Sequence, residues 1–139
     1  MTGSKMQLKK AILEVLDAQG REHPSGHQAS KAGRYVLTAP GGVPIEVMFE
    51  KGEATGANIW CPAKIASLLP DLNPEISPKA GLWVKRNKKG ELLYGRHSGL
   101  RAMPQLADAD LAKFQVRTLG EAKRIVDAIL AASMSRAVA

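Results

Sequence analysis

Cysteine is nearly missing from this chain: its 139 residues contain one, Cys61. A lone thiol excludes an internal disulfide framework and every multi-cysteine zinc pattern. Long apolar runs are missing too. The longest stretch without a charge, Tyr35 to Ile45, is broken by proline and glycine and falls far short of the roughly 20 residues a membrane-spanning helix needs. No secretory pattern opens the chain, because Lys9, Lys10, Glu14 and Asp17 interrupt its apolar positions. Neither Gly-x-x-x-x-Gly-Lys-Ser/Thr nor Gly-x-Gly-x-x-Gly occurs, so the common nucleotide loops have no signature here. Aromatics are scarce, two each of Phe, Trp and Tyr.

Apolar content is sufficient for a core. Leu, Ile, Val and Phe together number 32, above the level at which disorder becomes the default. A chain this long buries about two-thirds of its unfolded surface and folds as one domain without disulfides or metals. The expectation is one cytoplasmic domain spanning 1–139 that needs no cofactor. Met1 to Lys5 read partly as a leader, with Met6 as a second candidate start.

Charge is concentrated. Residues 85–101 hold Lys85, Arg86, Lys88, Lys89, Arg96 and Arg101 against Glu91 alone, which is five of the seven net positive charges. The remaining sequence is nearly balanced. Such concentration points to an anionic partner or to a solvated hairpin.

Periodicity supplies the elements. Leu8, Ile12, Val15 and Leu16 form one helical face, with Gly20 expected as a left-handed terminator. Residues 21–33 have no period and many turn formers, and are expected to be a mobile loop. Strands are expected at 34–39, at 43–49 and near 55–60. In the second, Val43, Ile45, Val47 and Phe49 alternate with Glu46, Met48 and Glu50, the pattern of a half-buried strand. A short helix follows Pro62, and Pro70, Pro74 and Pro78 keep the next segment irregular. Leu82–Arg86 and Glu91–Gly95 flank Asn87-Lys88-Lys89-Gly90 as a hairpin with Gly90 at a positive-φ position. A short turn near Ser98 precedes a strand at 112–117. Thr118-Leu119-Gly120-Glu121 then caps a last helix whose stripe is Ala122, Ile125, Val126, Ile129 and Leu130. The sum is an α+β fold: a mostly antiparallel sheet of five or six strands, helices of both termini on one face, and a short helix between hairpins.

Two clusters carry the functional expectation. Pairing Arg86 with Glu91 places Trp83 opposite Tyr94, on one face with Lys85, and puts Leu82, Val84 and Leu93 on the other. Aromatics beside cations on a sheet surface suit single-stranded nucleic acid, since bases stack and phosphates need positive charge. The same two rings equally suit a covered packing pair. Directly after them, Arg96, His97 and Ser98 outline an anion site, with Ser98 capping a short helix. His23 and His27 make a poor metal pair, and Cys61 beside Trp60 reads as a buried apolar residue.

The leading expectation is a non-enzymatic, nucleic-acid-associated domain that contacts phosphates through Lys85, Arg86, Lys88, Lys89, Arg96 and Arg101, with Trp83 and Tyr94 beside them. The alternatives are a protein-protein interaction module, with an acidic protein as one partner, and a small anion-binding domain using Arg96, His97 and Ser98.

Overall fold

The computed structural model describes residues 2–138 except 54, 81 and 84, with the backbone alone at 2–4 and 135–138. Helix α1, Thr2–Gln19, opens the chain and α2, Leu119–Val138, closes it. Between them, among the described residues, six strands form one antiparallel sheet in the order β1-β2-β3-β4-β6-β5. These are β1 Arg21–Glu22, β2 Ala32–Leu37, β3 Ile45–Glu50, β4 Asn58–Pro62, β5 Glu75–Ser77 and β6 Leu111–Gln115. Short 3-10 helices occupy Ala63–Leu68, Pro70–Leu72 and Ser98–Ala102. The α+β class, the antiparallel sheet and the two terminal helices on one face are as the periodicity implied. Among the described residues no helix is long and apolar enough to cross a membrane.

The apolar stripes meet as expected. Ile12 and Leu16 from α1, and Ala122, Ile125, Val126 and Ile129 from α2, pack against Val47, Phe49, Ile59 and Phe114 of the sheet. Each buried aliphatic or aromatic side chain of this kind contributes about 1.5–3 kcal/mol. Truncating Ile12 to Ala would cost about 2–5 kcal/mol, because the loss of transfer energy is joined by a cavity. At the start of α2 the Glu121 backbone donates to Thr118 Oγ1, and Glu121 Oε1 accepts from Arg117 N. The capping box thus closes one residue earlier than its usual form.

Several expectations require correction. Among its described residues the 82–95 hairpin contributes no strand to the sheet and carries one isolated bridge, Arg86 to Leu92. Its tip is polar and charged and has nothing to bury, and an isolated hairpin gains too little to extend its pairing. Two segments take its place in the strand count. β1 lies inside the stretch expected to be a loop and pairs Arg21 with Val36 and Glu22 with Tyr35. Too short to show a period, it is held by His23 N donating to Arg34 O. β5 lies between Pro74 and Pro78 in the stretch expected to be irregular; as an edge strand it tolerates flanking prolines. α1 begins at Thr2, within the stretch read as a leader, and Met1 lies outside the described residues. Gly20 is not left-handed. It is glycine because a Cβ there would sit 3.0 Å from the Val36 carbonyl oxygen.

The largest departure concerns β2 and β3, which are buried along their whole lengths. The face opposite the helices is covered by the Ser98–Ala102 turn and the segment after it: Met48 and Trp60 pack with Leu100, Met103 and Leu106. Glu46 and Glu50, expected to face solvent, are therefore buried and hydrogen-bonded. Trp60 Nε1 and Asn58 Nδ2 both donate to Glu50, while Glu46 meets His23.

Candidate functional site

The hairpin is built from its turn outward. Asn87 Oδ1 accepts from the backbone of Lys89 and Glu91, and Gly90 adopts a φ of 80°, the left-handed conformation that glycine enters without strain. Asn87 N donates to Glu91 O and Leu93 N to Lys85 O. The register is therefore shifted by one residue from the expected pairing, so that Arg86 lies opposite Leu92. Leu82 is buried while Leu93 is 41% exposed, which breaks the expected common face; Val84 lies outside the described residues.

Trp83 and Tyr94 nevertheless come together, with ring centroids 5.3 Å apart and planes tilted by 53°. Arg101, from the Ser98–Ala102 turn, lies over both: its Cζ is 5.4 Å from the Trp83 ring and 5.8 Å from that of Tyr94. Trp83 Nε1 donates to Asp108 and Tyr94 Oη to Ala107 O, which fixes the ring orientations. Trp83 remains 37% exposed. Burial raises the Tyr94 pKa, so its hydroxyl stays protonated and continues to donate.

Lys85, Arg86, Lys88, Lys89 and Arg101 are exposed. Among the described residues the ion pairs are His23–Glu46, Lys113–Glu75 and Arg124–Asp71, and none uses these five cations. Arg86 Nη1 donates to Gly90 O within the hairpin. Glu91, the acid of the segment, accepts from Asn87 Nδ2.

Arg96 differs. Its guanidinium donates to Ser77 Oγ at 2.9 Å, Ser77 O at 2.7 Å, Leu106 O at 3.2 Å and Ala107 O at 3.4 Å. It clamps edge strand β5 to the segment covering the second face, and its donors point into the protein. His97, rather than Ser98, caps the following turn: its Nδ1 accepts from Gly99 N, and Ser98 is the first residue inside. Burial lowers the His97 pKa, aided by Lys31 and Arg34 and opposed by Glu50, which disfavours the cation an anion site would need. The three residues expected to hold an anion thus serve as a clamp, a cap and the first residue of a turn.

The remaining candidates have structural surroundings. His27 accepts from Arg34 N and packs on Tyr35 at 4.9 Å between centroids. Cys61 is fully buried, and burial raises its thiol pKa well above the ordinary range. Among the described residues no group of three or more His, Cys, Asp or Glu could hold a metal ion. Lys9, part of α1 yet only 1% exposed, donates from Nζ to Gly52 O and Thr55 O and closes the turn after β3. His23, Ser25 and Glu46 form a polar cluster that their spacing did not reveal. No protein-family model matches the chain, and no curated protein or solved structure matches it.

Proposed function

We propose that the protein is a nucleic-acid-binding domain whose contact surface is the 82–95 hairpin together with Arg101, and that its ligand is single-stranded. The observation that carries this reading is the Trp83–Tyr94 pair, exposed at Trp83 and half-buried at Tyr94, with Arg101 over both rings, at the base of a hairpin bearing four further cations. Bases stack on aromatic faces whatever their sequence, and each stacked base contributes about 1–3 kcal/mol. Phosphates gain from Lys85, Arg86, Lys88, Lys89 and Arg101, which position the strand without reading it. Arg96, His97 and Ser98 hold the surface in place and do not touch the ligand. A single strand fits better than a duplex, because successive base pairs of a duplex stack on one another and hide the faces that Trp83 would stack on. Exposed Leu92 and Leu93, 45% and 41% accessible, favour a protein partner as the competing reading.

Fluorescence anisotropy with a labelled single-stranded oligonucleotide tests the proposal. Trp83→Ala should weaken binding at least about fivefold, equivalent to about 1 kcal/mol, with the fold intact by circular dichroism. Unchanged binding in that variant would overturn the stacking role. Association with a protein that persists unchanged in high salt would favour the competing reading.

A further inference from the structure

We infer a second, independent function: Ser25, His23 and Glu46 form a nucleophile–base–carboxylate relay able to hydrolyse small acyl esters. Ser25 Oγ lies 2.7 Å from His23 Nδ1, and His23 Nε2 lies 2.7 Å from Glu46 Oε2. These are the contacts that an activated serine requires, with a third group orienting the base. His23 and Glu46 are each 6% exposed, while Ser25 is exposed. The nucleophile is therefore accessible and its activating pair is shielded from water.

The protonation pattern follows from the backbone. Ser25 N–H, which can only donate, points at Nδ1 from 3.0 Å. Nδ1 must then present its lone pair, and the ring proton resides on Nε2, directed at Glu46. That is the tautomer in which Nδ1 accepts the serine proton. The carboxylate is held from its other side: Glu46 Oε1 accepts from Gln105 N at 2.7 Å, while Glu46 N donates to Gln105 Oε1. His23 is the ion-pair partner of Glu46 among the described residues, so the carboxylate charge is available to the imidazolium that forms. Glu46 is thus a positioning residue and acts through His23.

Substrate space is present beside the relay. A groove of about 480 Å³ is lined by Ser25, His23 and Glu46 together with Pro24, Val36 and Pro104. Its apolar wall suits a short acyl chain, and its opening to solvent leaves room for a leaving alcohol. In the reaction, Ser25 Oγ bonds to the acyl carbon as its proton passes to Nδ1. The product of that attack is a tetrahedral adduct. Collapse breaks the bond to the alkoxide, which takes the proton from Nδ1 and leaves as the alcohol. Water, deprotonated by Nδ1, attacks the acyl-serine; the carboxylic acid departs and Ser25 regains its proton.

The experiment combines covalent labelling with turnover on the full chain. A fluorophosphonate probe followed by peptide mapping should place the adduct on Ser25, and p-nitrophenyl acetate and butyrate should be hydrolysed with saturation. Ser25→Ala, an exposed change that leaves the fold intact, should abolish the adduct and lower turnover at least about a hundredfold. Glu46→Gln should lower kcat while KM stays constant, which a merely structural role would not produce. Because buried Glu46 and His23 variants could fail to fold, Ser25→Cys provides a second arm: its thiol should be alkylated faster than the same Cys placed at Ser30. Absence of a Ser25 adduct, ester hydrolysis equal in wild type and Ser25→Ala, or equal alkylation of the two cysteines would overturn the inference.

Discussion

Replacing Arg96 with Met separates the scaffold from the binding surface. The substitution keeps the apolar stem and removes a guanidinium that donates to Ser77 Oγ, Ser77 O, Leu106 O and Ala107 O. Hydrogen bonds to a charged group contribute about 1.5–3 kcal/mol each in favourable cases. Arg96 is half-buried and water can reach some of the freed carbonyls, so the sum is discounted to a loss of about 2–3 kcal/mol in all. For a chain of this length that corresponds to a fall in Tm of roughly 7–10 °C. Urea denaturation followed by circular dichroism should show a lower midpoint with an unchanged slope. Lys88→Gln with Lys89→Gln, at exposed positions outside the described ion pairs, should leave the unfolding free energy within about 0.5 kcal/mol of wild type. If Arg96→Met instead left stability unchanged and weakened oligonucleotide binding as the lysine pair does, Arg96 would be a ligand contact and the clamp assignment would be wrong.

Two further outcomes follow from titratable groups, one half-buried and one fully buried. Burial holds the His97 pKa below the ordinary value of about 6.5, so the unfolded chain takes up that proton first. The stability linked to His97 is complete above that pH and declines as pH falls through it. His97→Asn, which keeps an acceptor for Gly99 N, should flatten the decline below about pH 6.5 in parallel urea titrations; an identical decline would refute the assignment. For Cys61 the sign is opposite, because burial raises the thiol pKa and the unfolded chain loses its proton first. Stability should therefore fall as pH rises above about 8.5, less steeply in Cys61→Ala, and iodoacetamide should modify Cys61 in urea but not in the native protein.

The α+β class, the helix-covered face and the positive φ at Gly90 were legible because each rests on local period or on a single residue's conformational freedom. β1 and β5 were not, since two or three residues carry no period and owe their pairing to the neighbouring strand. The burial of Glu46 and Glu50 was hidden for a related reason. Alternation in β3 shows which residues face the helices, but the cover on the other face comes from residues 98–106, far along the chain. The proximity of Trp83 and Tyr94 was legible despite a register shifted by one residue, because both rings are large enough to meet across it. Arg96 looked like its basic neighbours; only the placement of Ser77, Leu106 and Ala107 around it reveals a clamp. The approach of His23 and Ser25 to Glu46 depends on β1 pairing beside β2, so no spacing in the sequence announces it.

The most direct test of the binding proposal is the salt dependence of single-stranded oligonucleotide affinity. Five phosphate contacts, from Lys85, Arg86, Lys88, Lys89 and Arg101, should give a fall of log affinity against log salt with a slope of about 3.5, at about 0.7 per contact. Lys88→Gln with Lys89→Gln should reduce that slope to about 2. Absence of binding at low salt by the folded protein, or a slope that the lysine pair does not change, would contradict the account.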